Sequence, residues 1–175
     1  ALRPRMIELA AGLGDGVILN LFPQRALPRI VEHVARGALR AGKDPAQVEI
    51  VCRHQVAVTD DVQATRKLFR MMFASYYATP VYNEFLAWAG YGHAAQEIRE
   101  GWAAGDRERT AAAISDAMID EIAIIGTREQ CQQRVLDYAR GGIHTHVVSC
   151  LGFEPAVVDA TYRAFAPEHF GFRGI

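Results

Sequence analysis

The hydrophobic pattern of this chain switches between two periods. Near the start, Met6, Leu9, Ala10 and Leu13 recur at helical spacing and are expected to share a covered face. Pro4 suits a first helical position, where its missing N–H costs nothing, and Gly12 and Gly14 close the segment. Asp15-Gly16 then reads as a turn, and Val17-Ile18-Leu19 is a short run apolar on both sides, as in a buried parallel strand. Ala1-Leu2 read as the end of a strand feeding the helix, so the chain is expected to begin inside a repeating βα unit. The next helix is expected over residues 26–41. Its buried stripe would be Ile30, Val31, Val34, Ala35, Ala38 and Leu39, with Arg29, Glu32, His33, Arg36 and Arg40 in water. Gly42 and Asp44-Pro45 stop it. A strand follows over 48–59, apolar at Ile50, Val51, Cys52, Val56, Ala57 and Val58. Arg53-His54-Gln55 interrupt it, and a buried strand does not carry polar residues without a reason.

Asp60-Asp61 caps a helix to about residue 78, with Val62, Leu68, Phe69, Met72, Phe73 and Tyr76 at core spacing. Residues 79–126 read as helices only, over 80–89, 94–104 and 107–125, which is too much for one βα connection and marks an all-helical insertion. Thr127 with Gln130 forms a capping box for a helix that ends at Gly141-Gly142. A last strand over 143–150, a helix over 155–166 and a tail complete the chain. Three strands, each followed by a helix, indicate an α/β fold with a parallel sheet covered by helices. Eight such units make a closed barrel of about 250 residues. The 175 residues here cannot supply eight; one domain, 1–175, is expected, and the family resemblance given below implies that it is a partial (β/α) barrel. Exposed sheet edges are a liability. They are expected to be covered by another copy in a homo-oligomer or by an N-terminal half.

Composition narrows the function classes. Nineteen basic residues balance 20 acidic ones, which gives no footprint for nucleic acid or a membrane surface. Cys52, Cys131 and Cys150 show neither paired nor metal-type spacing and suit a reducing compartment as free structural thiols. No apolar run approaches the roughly 20 residues of a membrane span. The start of the chain is not a signal peptide, and a cytoplasmic location is expected.

Two segments carry a family resemblance. Ala1-Leu2-Arg3-Pro4-Arg5-Met6, then Leu9-Ala10 and Asp15-Gly16-Val17-Ile18-Leu19-Asn20, resemble the bacterial luciferase-like flavin oxidoreductases, and within them the class that uses the deazaflavin coenzyme F420. Gly126-Thr127-Arg128-Glu129-Gln130-Cys131 through Arg134-Val135 and Tyr138, with Gly141-Gly142-Ile143, agrees in order and spacing. The likeness covers the C-terminal half of a family member. It implies the last three strands of a luciferase-like barrel and hydride transfer between F420, or FMN as the alternative, and a small organic substrate. In such barrels the site lies at the C-terminal ends of the strands, and a helix start suits a phosphate. The resemblance places the cofactor's phosphate at two adjacent strand ends, which here are Leu2, Arg3, Asn20 and Leu21. Many members have glycine where Arg3 stands, so the arginine adds charge but restricts backbone approach. The competing expectation is a non-catalytic barrel module that acts by pairing through its edges.

Other candidates are weaker. His144 and His146 would share one face of a strand, but zinc needs three or four ligands and no third is evident. Arg53 and His54 point to opposite faces, so at most one faces a barrel lumen. The cysteines lack an activating base at a recognisable spacing. No residue is singled out as catalytic, and no metal is expected.

Overall fold

The computed structural model describes residues 1–171. The first helix, α1 (Pro4–Leu13), leads into β1 (Gly16–Asn20), and a short 3-10 turn (Gln24–Ala26) opens α2 (Leu27–Arg40). Gly42 takes a positive φ of 71°, and Lys43 N–H bonds the Ala38 carbonyl, so the expected glycine stop is present. The long strand β2 (Glu49–Val58) follows. Asp61 then caps α3 (Val62–Ala78) by accepting from Ala64 N–H.

The segment 79–126, expected as an all-helical insertion, holds α4 (Pro80–Leu86), α5 (Gly92–Ala103), α6 (Arg107–Ala112) and α7 (Asp116–Ile122). The helix expected over 107–125 is corrected on two counts. Ser115 caps a new start at α7, and the chain then extends into β3 (Ala123–Gly126). The β-branched pair Ile124-Ile125, followed by Gly126 at a φ of 150°, ends helix where the periodicity alone ran on. The capping box of Thr127 and Gln130 is present at the start of α8 (Arg128–Arg140). After it come β4 (Thr145–Cys150) and α9 (Pro155–Ala164). Part of the expected tail, residues 172–175, lies outside the described residues.

The sheet is therefore four-stranded and wholly parallel rather than three-stranded. β2 is its centre. Val51, Cys52 and Arg53 pair with β1 on one edge and β4 on the other, while Gln55 and Val56 pair with β3 and β4. It follows that β3 continues along the edge that β1 occupies lower down. Ala1 N–H donates to the Ile18 carbonyl at 2.6 Å, so the first residues lie alongside β1, as the pattern suggested.

One face of the sheet is closed. Val17, Leu19, Ile50, Cys52 and Val56 pack there against α1, α2 and α8 through Ile7, Ile30, Val34 and Tyr138. A second core lies between α3 and the insertion, with Phe69, Phe73, Tyr77, Ile98, Ile114 and Met118 buried, and Leu21, Ala57 and Leu151 join it to the ends of the strands. Arg66 and Arg70 of α3 reach Asp116 of α7, and Arg66 also holds Asp120.

The expected stripe on α1 is corrected. Ile7 and Ala11 are buried, whereas Met6, Leu9 and Leu13 are exposed, Leu13 by 79%. Small residues decide this: Gly37 of α2 sits so close to α1 that a Cβ there would overlap the Glu8 backbone. The packed face is the one that allows the closest approach, not the one with the longest apolar side chains. For the same reason Leu39 points to solvent, and His33 turns inward to Glu8 Oε1 at 2.8 Å.

Candidate functional site

Alternation along β2 sorts its three polar residues. His54 turns to the closed face, 3% exposed, while Arg53 and Gln55 take the opposite one. By register, Asn20 stands opposite Arg53, Val147 opposite Arg53 on the other side, and Ser149 opposite Gln55. Asn20, Arg53, Gln55 and Ser149 thus share one face toward the C-terminal ends of the strands. Among the described residues no helix covers the lower part of this face: Ile18 is 65% and Val147 44% exposed.

Electrostatically the open face is unfinished. Asn20 Oδ1 and Gln55 Nε2 are buried atoms with no hydrogen-bond partner, and Gln55 is 3% exposed as a residue. Burying an amide group unbonded costs about 1–3 kcal/mol. Arg53 Nη2 donates to Ser149 Oγ at 2.7 Å, so the exposed arginine runs diagonally across to the residue beside Gln55. Leu21, immediately after Asn20, holds a left-handed φ of 51°. This backbone state is uncommon for a leucine and clusters at functional sites.

The helix start beside this strand end is α1. Arg3 is its extended N-cap, with no side-chain cap, and Pro4 supplies no N–H, so the N–H groups of Arg5 and Met6 face outward without a capping oxygen. The Arg3 guanidinium pairs with Glu84 of α4. Leu2, Arg3, Asn20 and Leu21 are accordingly brought to one corner, but the arginine's charge is directed at the insertion. Gln55, Ser149 and Glu84 were not singled out for this corner. Gln55 was detectable, since it shares parity with Arg53 in a flagged polar run; Glu84 depends on how the insertion folds back.

The remaining sequence candidates lie on the closed face. Cys52 Sγ, His54 and His146 form a chain, with His54 Nδ1 3.5 Å from sulfur and Nε2 2.9 Å from His146 Nδ1. Burial, with His146 and Arg134 nearby, pushes His54 down to about 3, and burial raises the Cys52 thiol to about 12. His144 Nδ1 accepts from Ile50 N–H at 2.9 Å. These histidines bond protein groups, and among the described residues no group of three His, Cys, Asp or Glu could hold a metal ion. Cys52, Cys131 and Cys150 are free thiols. Among the described residues no helix is long and apolar enough to cross a membrane.

Comparison with known proteins places this corner in context. Residues 1–145 match the model of the luciferase-like monooxygenase family, and the chain belongs to that family. It is 27% identical over 150 residues to the 5,10-methylenetetrahydromethanopterin reductase of Archaeoglobus fulgidus, across 83% of this chain and 45% of that protein. Among solved structures it resembles the coenzyme F420-dependent tetrahydromethanopterin reductase from Methanopyrus kandleri, with a TM-score of 0.69 and 19% identity over 92% of this chain and 46% of that one. It also resembles an F420-dependent secondary alcohol dehydrogenase in complex with an F420–acetone adduct, with a TM-score of 0.67 and 15% identity over 97% and 47%. The fold is an open α/β sheet matching part of a luciferase-like barrel, and the chain spans about half the length of these relatives.

Proposed function

We propose that this member of the luciferase-like monooxygenase family forms the cofactor-phosphate side of an oxidoreductase that moves a hydride between reduced F420, or FMN as the alternative, and a small organic substrate. One observation carries the reading: an uncapped helix start at Arg3-Pro4 lies beside the strand end Asn20-Leu21, whose backbone is turned left-handed and whose side-chain oxygen is buried unbonded. Uncapped N–H groups and the positive helix end suit an anion. Arg5 adds positive charge beside it, while Arg3 is paired with Glu84, and the amides of Asn20 and Gln55 suit neutral hydrogen-bonding groups. The residues present therefore fit a phosphate-bearing cofactor. The bound ring would supply the hydride chemistry; this chain's residues would anchor and orient it and keep one wall of the pocket dry.

Arg3→Glu puts an anion at the helix start and is expected to weaken F420 binding several-fold in a fluorescence titration of the complete assembly. Unchanged affinity would remove the phosphate from this corner. A second reading rests on the open face itself. With Ile18 and Val147 exposed, and β1 and β4 each paired with β2 alone among the described strands, this chain acts together with another polypeptide layer, either a second copy or the remaining part of a barrel. Light scattering on these 175 residues tests it: a monodisperse, fully active monomer would exclude it.

A further inference from the structure

The open face holds a polar residue for which the phosphate corner has no use. Gln55 is embedded between apolar Val56-Ala57 and the exposed Arg53, is 3% exposed, and leaves Nε2 without an acceptor. It lies on the same face as Asn20, one strand across and two residues further along. Such diagonal neighbours stand about 7–8 Å apart. Asn20 presents an unpaired acceptor and Gln55 an unpaired donor. Both are uncharged, so they match a neutral group that donates and accepts along its length rather than a second anion. A run of hydroxyls on a short carbon chain has that chemistry and spans that distance.

Building on the functional reading above, we infer that Gln55, with Asn20, binds the sugar-alcohol chain that joins the cofactor's ring to its phosphate. Gln55 is then a binding residue of the strand wall, and the phosphate remains at the start of α1. Arg53 reaches Ser149, which stands directly across from Gln55, and so borders this wall.

Gln55→Met keeps the length and removes the amide. In the free protein it should raise Tm by roughly 2–8 °C, because an unbonded buried donor is lost. A fall in Tm would show that the amide is bonded within the fold and would overturn the inference without any ligand. Fluorescence titrations then compare F420, the phosphate-free ribityl deazaflavin and the same ring with a methyl in place of the sugar chain, each repeated in the flavin series. The variant should bind the first two about 2–10-fold more weakly and the methyl compound unchanged. Equal losses for all three would assign Gln55 to the ring and overturn the inference. Arg3→Glu serves as the reference, since it should weaken only the phosphate-bearing ligand. If the unaltered protein binds no member of either series, the functional reading itself fails and this assignment falls with it.

Discussion

The two faces of the sheet are made from alternate residues of the same strands, yet their polar groups meet different fates. On the closed face Cys52, His54 and His146 form a bonded chain, Tyr138 lies against the His54 ring at 4.7 Å, and His144 takes the Ile50 N–H. On the open face Asn20 and Gln55 each keep a buried atom unbonded, and Ile18 and Val147 stand in water. Where helices cover the sheet these side chains bond to one another, whereas on the other side two amide atoms stay unbonded. Unsolved polarity next to exposed apolar surface marks where something other than this layer belongs.

The contrast is sharpest in a pair of truncations. Ile50→Ala on the closed face should cost about 2–5 kcal/mol by chemical denaturation, since Ile50 is 3% exposed within a packed core. Ile18→Ala, one strand away on the open face, should stay within about 0.5 kcal/mol. If Ile18→Ala proves as costly as Ile50→Ala, the open face is covered in solution, and the comparison breaks in favour of an assembled state.

Acidity probes the closed face next. His54 is held near 3 when folded against about 6.5 when unfolded, so between those values the unfolded chain binds a proton that the folded one does not. Stability is therefore full above pH 6.5 and falls as pH drops, by at most about 1.4 kcal/mol per pH unit from this group. His146, also lowered by burial, adds in the same direction. His54→Phe should flatten the denaturation midpoint between pH 4 and 6.5; an unchanged slope would relocate the effect to other groups.

A modest effect lies away from both faces. Thr127→Ala removes one half of the capping box of α8 and should cost about 1 kcal/mol in the same denaturation assay, whatever covers the open face. A larger loss would mean that the cap also supports the strand junction at Gly126.

Where local chemistry decides structure, the sequence was readable. The Pro4 helix start, the Gly42 stop, the Asp61 cap and the Thr127–Gln130 box all stand where their residue types demand. It was less readable where tertiary approach decides. Gly12 and Gly37 bring α1 and α2 together and thereby expose Met6, Leu9 and Leu13, which periodicity had placed inside. β3 was hidden because four residues at the end of a helical run carry too little pattern to break it. For the site, the flagged interruption Arg53-His54-Gln55 contained the residue with the unbonded donor. Alternation already separates Gln55 and Arg53 from His54, but which of the two faces is covered is set by the packing of α1, α2 and α8. The Arg3–Glu84 pair depends on a return of the chain from α4 that no local signal announces.

The pairing of β2 with β4 joins residues 94 positions apart, Val51 with Thr145. On a ribosome adding about 5–20 residues per second, β4 therefore emerges roughly 5–20 s after its partner. Until then the α1–β1–α2–β2 segment must persist with its central strand unpaired along one edge, while the insertion is still being made. Contacts this distant in sequence form slowly because loop closure precedes any gain. The nascent chain is thus most vulnerable to strand-edge association in that interval, and factors that shield the growing chain should affect its yield more than changes in the finished fold's stability.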